Sequence, residues 1–267
     1  MFKTETQYRS ISRYYDILND GAAYDEYLAY INTVFATNGI NKNSRILDLA
    51  CGTGEVTLRL HKEGYKVIAL DFSPDMLSEA SFKCSEVSNS EIFFTCQDMR
   101  NYRLYSQADS CVCLYDSLNY LLTKKDLNAA FQSTSDALKD GGLFIFDVST
   151  SERYESHYNQ NTFIFDYPEL FCAWENAYDS EKQICDFYLT LFIKNAGQRD
   201  NYSRVDEHQR QKYFSEKTIR SLLDKNGFDV ISVCTDKDIF SSARENDIPH
   251  KMIFTARKRI VENNLTD

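Results

Sequence analysis

A segment of small residues directly follows an apolar run near residue 50. In ILDLACGTGEVTLRL, residues 46–60, the apolar run reaches Asp48, and Ala50, Gly52 and Gly54 then stand at alternate positions. Small residues at this spacing let the backbone turn sharply and approach a ligand with no side chain between them. The segment therefore predicts a strand-to-helix turn that binds a small molecule, although an unliganded glycine turn fits the same residues.

The spacing of these glycines disfavours a nicotinamide dinucleotide as the ligand. The dinucleotide fingerprint is G-x-G-x-x-G, with the pyrophosphate at the helix N-terminus. Counted from Gly52, the third glycine falls on Thr57, and counted from Ala50 it falls on Glu55. A carboxylate in the first turn of the helix also competes with a phosphate for the positive end of the helix dipole. A nicotinamide oxidoreductase is therefore disfavoured.

Acidic residues stand at the ends of the next two apolar runs. Asp71 ends the run VIALD, and Asp98 follows FFTCQ. In an open parallel sheet, ligands bind beyond the carboxyl ends of the strands. An acidic residue after an early strand can accept hydrogen bonds from the hydroxyls of a ribose. We therefore expect a nucleoside at this edge of the sheet.

The strand ends together resemble those of class I S-adenosylmethionine-dependent methyltransferases. Residues 48–54, DLACGTG, are similar to the first motif of that family, D-x-G-x-G-x-G, with Ala50 in place of the first glycine. The resemblance covers residues 40–150 best and implies S-adenosyl-L-methionine as the cofactor. The cofactor-binding residues that it implies are Tyr15, Asp48, Ala50, Gly52, Gly54, Asp71, Phe72, Met76, Asp98, Met99 and Tyr115.

The same resemblance implies a role for each side of the cofactor. Asp71 would bind the ribose hydroxyls, and Phe72 and Met76 would pack on the adenine. Asp98 would accept a hydrogen bond from the exocyclic amine while the N–H of Met99 meets a ring nitrogen. The fourth strand end would face the methionine part and the acceptor, through Tyr115, Asp116, Ser117 and Asn119.

The N-terminal segment SRYYDILND, residues 12–20, is similar to the Tyr-Asp segment that folds over the cofactor in small-molecule members of the family. Its candidate aromatic residues are Tyr14 and Tyr15, with Tyr8 just before them. Aromatic faces attract cations, and a sulfonium is a cation. Packing of a Tyr-rich helix on the domain explains the same residues.

The candidates for catalytic contact with the acceptor are His208, Arg210 and Tyr115. Strand alternation in RVDEHQRQKYF, residues 204–214, places His208 and Arg210 on one face and Gln209 on the other. A general base on this strand would assist a hydroxyl acceptor. A solvent-facing ladder of cross-strand charges is the alternative. Aromatic residues nearby would either roof an acceptor pocket or pack the sheet on the main domain, namely Phe171, Trp174 and Tyr188.

Strands and helices alternate around these motifs. Short apolar strands begin near residues 45, 66, 91, 110 and 143, and amphipathic helices lie between them. This alternation is typical of a parallel sheet covered by helices on both faces. We predict a Rossmann-like, doubly wound α/β fold with a mostly parallel seven-stranded sheet, whose last helix and two strands lie after residue 215.

Residues 162–214 show a different pattern, with three or four long aromatic-rich segments and no helix between them. This pattern predicts an antiparallel sheet inserted into the α/β fold. We therefore divide the chain into a cofactor-binding domain, residues 1–149 and 215–267, and an inserted β lid or substrate domain, residues 150–214. Helices within residues 1–37 would cap the first domain.

Composition limits the partners. The chain has 267 residues and a net charge of -10, which disfavours a nucleic-acid partner. No apolar run is long enough to span a bilayer, and the N-terminus lacks a secretory pattern, so a cytoplasmic protein is expected. Eight Cys without a C-x-x-C pair suggest reduced thiols and no metal. The oligomeric state is open between monomer and homodimer.

The sequence thus predicts a methyltransferase that transfers a methyl group to a nitrogen or oxygen of a small molecule by in-line displacement. Two alternatives keep the cofactor. One is a methyltransferase that acts on a tRNA base, which would need an exposed basic surface beside the pocket. The other is a protein that binds S-adenosylmethionine without catalysis.

Overall fold

Two separate β-sheets form the framework of the protein. The computed structural model describes residues 11–20, 22–85, 92–195, 197, 201–240 and 248–261, and every structural statement below concerns these residues. The strands are β1 (Arg45–Leu49), β2 (Lys66–Asp71), β3 (Ile92–Cys96), β4 (Ala108–Cys113), β5 (Leu138–Ser149), β6 (Thr162–Tyr167), β7 (Leu170–Asp179), β8 (Ile184–Lys194), β9 (Tyr202–Lys212), β10 (Phe228–Thr235) and β11 (Lys251–Lys258).

The larger sheet has seven strands in the order β10-β11-β5-β4-β1-β2-β3. All neighbouring pairs from β5 to β3 are parallel, and β11 runs antiparallel to both β5 and β10. The strand order reverses between β1 and β4, which places a ligand-binding crevice at their carboxyl ends. The predicted mostly parallel, doubly wound sheet is confirmed.

Helices cover both faces of this sheet. They are α1 (Tyr15–Leu18), α2 (Tyr24–Thr37), α3 (Glu55–Lys62), α4 (Pro74–Ser85), α5 (Lys124–Ala137), α6 (Glu216–Lys225) and α7 (Asp236–Ile239). On one face, buried Tyr27, Ile31 and Phe35 of α2 share a core with Ile46 of β1. On the other face, α5 and α6 pack on Leu47 and its neighbours. Successive β1 residues therefore point to opposite cores, as a strand buried on both sides requires.

The smaller sheet is antiparallel, with the order β6-β7-β8-β9. One face is buried, and its core includes Phe187, Leu189 and Leu191 of β8. Ile11 and Leu18 from the N-terminal segment belong to the same core. The predicted antiparallel sheet is therefore present, and the assignment of domains to residue ranges stays a prediction.

Most element boundaries match the sequence pattern, and the end of α5 does not. The helical pattern of residues 125–139, which Gly141 and Gly142 follow, predicts a helix that these glycines close. Helix α5 ends at Ala137, and both glycines lie within β5. A Cβ on Gly142 would lie 2.8 Å from the Lys139 carbonyl oxygen, so this glycine permits a close backbone approach inside the strand.

Short helical turns without clear periodicity complete the fold. They are 3₁₀ turns over Ser12–Tyr14 and Ser117–Tyr120 and a π-helical turn over Arg153–Tyr158. Among the described helices, none combines the length and the apolar character needed to cross a membrane.

Candidate active site

The glycine turn after β1 adopts the backbone geometry that its residues predict. Ala50, Gly52 and Gly54 all have positive φ, at 59°, 54° and 80°. A Cβ on Gly54 would lie 2.9 Å from Cβ of Ala80, so this glycine lets α3 and α4 pack closely. Around Gly52 there is open space for a Cβ. The backbone at Gly52 is therefore the part of the turn that is accessible to a ligand.

Asp71 connects the end of β2 to this turn. Its Oδ2 accepts a hydrogen bond from the N–H of Gly52 at 2.9 Å, and its Oδ1 accepts one from the N–H of Ser73 at 2.8 Å. Burial raises the pKa of Asp71 above its usual value, although the backbone donors oppose this shift. The carboxylate thus fixes the two adjacent strand ends at the ligand-binding edge.

Asp48 supports the turn from within the protein. The side chain is 3% exposed, and its Oδ2 accepts a hydrogen bond from the Thr57 hydroxyl at 2.5 Å. Burial raises the pKa of Asp48 to about 7. The Asp48 carboxyl group therefore joins β1 to α3 below the turn, and its contact with the cofactor stays a prediction.

The residues that follow β2 and β3 are partly exposed and partly buried. Phe72 is 58% exposed, whereas Met76 is buried in α4. Both oxygens of Asp98 accept hydrogen bonds from the Arg100 guanidinium, which lowers the pKa of Asp98. Met99 is partly buried against the main core. Phe72 and Asp98 are therefore accessible at one edge, with Arg100 orienting the carboxylate.

The N-terminal segment lies over the glycine turn. Asp16 accepts hydrogen bonds from the Thr53 hydroxyl at 2.5 Å and from the Lys83 ammonium at 2.6 Å. Next to it, Tyr15 lines a cavity that is described below, and Tyr14 packs against the core of the smaller sheet. The position predicted for Tyr8 lies outside the described residues. Asp16 therefore holds the segment against both α4 and the turn.

A strained pair of residues follows β4. Tyr115 and Asp116 have φ values of 59° and 60°, a left-handed conformation that is uncommon for residues with side chains. The N–H groups of both residues donate to the Asp147 carboxylate, at 3.2 and 2.7 Å. Asp147 is fully buried in β5. This carboxylate therefore stabilises the conformation that directs the Tyr115 ring.

Two cations complete a buried ion network around this pair. Lys251 lies 3.0 Å from Asp116 and 3.1 Å from Asp147, and Arg153 lies 2.7 Å from Asp116. The Tyr27 hydroxyl also donates to Asp147. Burial alone would raise the pKa of Asp116, but Arg153 and Lys251 hold it below the usual range. Asp116 is therefore ionised near neutral pH.

A cavity lies between the two sheets, beside this network. Its volume is about 90 Å³. The main sheet contributes Tyr115, Asp116 and Lys251, and the smaller sheet contributes an aromatic and polar wall. That wall consists of Trp174, Phe187, Leu189, Gln209 and Gln211. Residues from the N-terminal segment and the helical turns after β4 and β5 close the remaining sides, namely Ile11, Tyr15, Leu18, Asn19, Tyr120, Arg153 and Tyr158.

The contact of His208 or Arg210 with the acceptor stays a prediction, and neither residue lines the cavity. Both residues lie on the exposed face of β9, where the His208 ring stacks on Tyr188 at 4.6 Å and lies 2.6 Å from Asp186. The predicted alternation along the strand is correct, but the buried face carries Gln209 and Gln211. Their oxygens accept hydrogen bonds from tyrosine hydroxyls, which makes their burial possible.

Three charged residues of the candidate site were not predicted from the sequence. Asp147 and Lys251 each stand in an apolar strand segment, FIFDVS and HKMIFTA, and a lone charge in such a run is a usable signal. Arg153 stands in a polar segment with no comparable signal. Asn119 was assigned to the ligand side, but its amide joins Lys212 and Ser149 in the interior.

Known proteins resemble this chain over most of its length. A family model described as a methyltransferase domain matches residues 46–142. The putative methyltransferase YqeM of Bacillus subtilis is 32% identical over 252 residues, which is 94% of this chain and 97% of that protein.

Solved structures share the fold. A methyltransferase structure from Clostridium acetobutylicum, described as S-adenosylmethionine-dependent, has a TM-score of 0.80 and 26% identity, covering 95% of this chain and 99% of that one. The sugar N-methyltransferase KedS8 from Streptoalloteichus has a TM-score of 0.76 at 15% identity, covering 97% of this chain and 96% of that one.

Proposed function

Because the chain belongs to the class I S-adenosylmethionine-dependent methyltransferases, we propose that it methylates a nitrogen or oxygen of a small molecule bound between its two sheets. The observation that carries this proposal is the partly enclosed cavity with walls from both sheets. It adjoins the carboxyl end of β4, on the same edge as the glycine turn. A bulky polymer would need an open surface at this position.

The chain's own residues fit the cofactor. The accessible backbone at Gly52 and the carboxylate of Asp71 suit a nucleoside, and the exposed ring of Phe72 suits one face of its base. We assign Asp71 to the ribose hydroxyls and Asp98 to the adenine amine, with Tyr15 and Tyr115 near the sulfonium. When bound, S-adenosylmethionine supplies an electrophilic methyl carbon.

The remaining residues position the acceptor and exclude water. In-line displacement depends mainly on the alignment of the nucleophile with the methyl carbon. Trp174, Phe187 and Leu189 form an apolar wall of the cavity, which limits the entry of water. Burial raises the pKa of Tyr115 far above neutrality, so its hydroxyl stays protonated. Tyr115 therefore orients the acceptor by hydrogen bonding and is not a general base.

The fold neighbour KedS8, described as a sugar N-methyltransferase, is consistent with a small acceptor that bears an amine. Asp116 is the ionised carboxylate in the cavity wall. It is the group placed to receive the proton that a nucleophile loses. Its ion pairs with Arg153 and Lys251 keep it in the ionised form before transfer.

The test is methyl transfer from labelled S-adenosylmethionine to fractions of an extract from cells that make the protein. We expect label in the low-molecular-mass filtrate, and we expect Tyr115→Phe to lower the rate of transfer. Label confined to the tRNA fraction would instead support a tRNA-base methyltransferase. Tight cofactor binding with no label in any fraction would support a binding protein without catalysis.

A further inference from the structure

Three residues that line the cavity between the sheets each carry a buried hydrogen-bond donor. The donors are Nε1 of Trp174, the hydroxyl of Tyr115 and Nε of Arg153. Within the part of the chain that the structure describes, none of these three atoms has a hydrogen-bond partner. Buried donors in folded proteins are nearly always paired. A molecule bound in this cavity is therefore expected to bring oxygen atoms that accept hydrogen bonds.

The charges around the cavity are already balanced. Arg153 and Lys251 carry the two positive charges, and Asp116 and Asp147 carry the two negative charges. Each cation contacts at least one of these carboxylates within 3.1 Å. An additional buried ion would find no unpaired counterion in this network, and an uncompensated buried charge is strongly unfavourable.

We propose that the methyl acceptor is neutral when bound and presents carbonyl or hydroxyl oxygens to Trp174 and Tyr115. Its apolar side would face Phe187 and Leu189, which line the cavity beside Trp174. The inference rests on the proposed function, because it assumes that this cavity holds the acceptor. It excludes acceptors whose carboxylate or phosphate group is buried in the cavity.

The protein contains a convenient reporter for this site. Trp174 is the only tryptophan of the chain, so its fluorescence reports on the cavity alone. Acetate, acetamide and acetamidinium have the same shape and differ in charge and in acceptor oxygens. Each is titrated into the enzyme saturated with S-adenosylhomocysteine, whose binding is first measured by calorimetry.

We expect acetamide to change the Trp174 emission in a saturable way. It should bind about threefold or more tightly than acetate, and acetamidinium, which has no acceptor oxygen, should leave the emission unchanged. The Tyr115→Phe variant should bind acetamide about threefold more weakly, which corresponds to one lost hydrogen bond. Tyr188→Phe is the matched control, because Tyr188 lies on the exposed face of the smaller sheet. This variant should bind acetamide with the same affinity as the wild type.

Three outcomes would overturn the inference. They are tighter binding of acetate than of acetamide, an equal response to all three probes, and no saturable response to any probe. Because methyl transfer to the extract is measured separately, these results leave the proposed function standing. Absence of transfer with a normal acetamide response would instead contradict the proposed function.

Discussion

The N–H of Gly52 donates a hydrogen bond to the Asp71 carboxylate over 2.9 Å, and this contact joins the turn after β1 to the end of β2. A residue of the ligand-binding edge is thereby also a structural residue of the glycine turn. Replacement of Asp71 by Ala would remove both roles together. Loss of cofactor affinity in that variant would not separate a ribose contact from a distorted turn.

Ala50→Gly should stabilise the protein by up to about 1 kcal/mol. Ala50 is held at a φ of 59°, and a left-handed residue with a side chain costs about 1–2 kcal/mol, of which the greater flexibility of glycine in the unfolded chain offsets a part. The measurement is urea-induced unfolding. Ala29→Gly in the exposed part of α2 is the control, and it should destabilise by about 1 kcal/mol. Equal losses in both variants would contradict strain at Ala50.

Asp48 should make the protein less stable as the pH rises from about 4 to 7. Burial raises the pKa of the folded-state carboxyl to about 7, so in this range the folded state binds the proton that the unfolded state has lost. Asp48→Asn removes this titration. The difference in free energy of unfolding between variant and wild type should therefore shift in favour of the variant as pH rises. A difference that is constant with pH would contradict the assignment.

Lys251→Met should destabilise the protein by about 3–5 kcal/mol, because it leaves Asp116 and Asp147 with only Arg153 as a counterion. Lys182→Met is the matched control. Lys182 forms an exposed pair with Asp179, and its loss should change the stability far less than the loss of Lys251. Thermal unfolding compares the two variants. Similar losses would mean that the buried network contributes no more than a surface pair.

Gln209→Leu should lower methyl transfer about tenfold, while His208→Leu should leave it within about twofold. Gln209 lines the cavity and its side chain accepts a hydrogen bond from Tyr120, whereas His208 lies on the exposed face. The rate with the acceptor found in the extract is the measurement. A larger loss of methyl transfer for His208→Leu than for Gln209→Leu would instead support the contact predicted between His208 and the acceptor.

Periodicity and turn residues predicted most of the fold. Apolar runs of four to six residues located the strands. The last helix, predicted after residue 215, begins at Glu216, where the Ser215 side chain accepts a hydrogen bond from the N–H of Thr218. The short turn over Arg153–Tyr158 was missed because its backbone follows no regular sequence pattern. Local patterns specify elements well, but they did not give the end of α5 at Ala137, where β5 follows directly.

The parts of the candidate site that could be predicted are those formed by residues at the end of a single strand. Asp71 and the glycine turn follow directly from the sequence. The sequence did not predict which face of β9 lines the cavity, because strand alternation defines two faces and only packing decides which one is buried. The buried glutamines of that face look solvent-exposed in the sequence, and their tyrosine partners are distant in the chain. The ion network likewise joins residues from the turns after β4 and β5 and from the strands β5 and β11, which no local pattern relates.

The most direct test of the site is calorimetric titration with S-adenosylhomocysteine and with its 2′-deoxy analogue, on the wild type and on Asp71→Asn. If Asp71 binds the ribose, loss of the 2′-hydroxyl should weaken binding to the wild type about tenfold or more, as for a hydrogen bond to a charged group. The same loss should weaken binding to Asp71→Asn by less than about threefold. This comparison removes any effect of the Gly52 contact, because both ligands bind the same variant. Equal losses in wild type and variant would contradict the account.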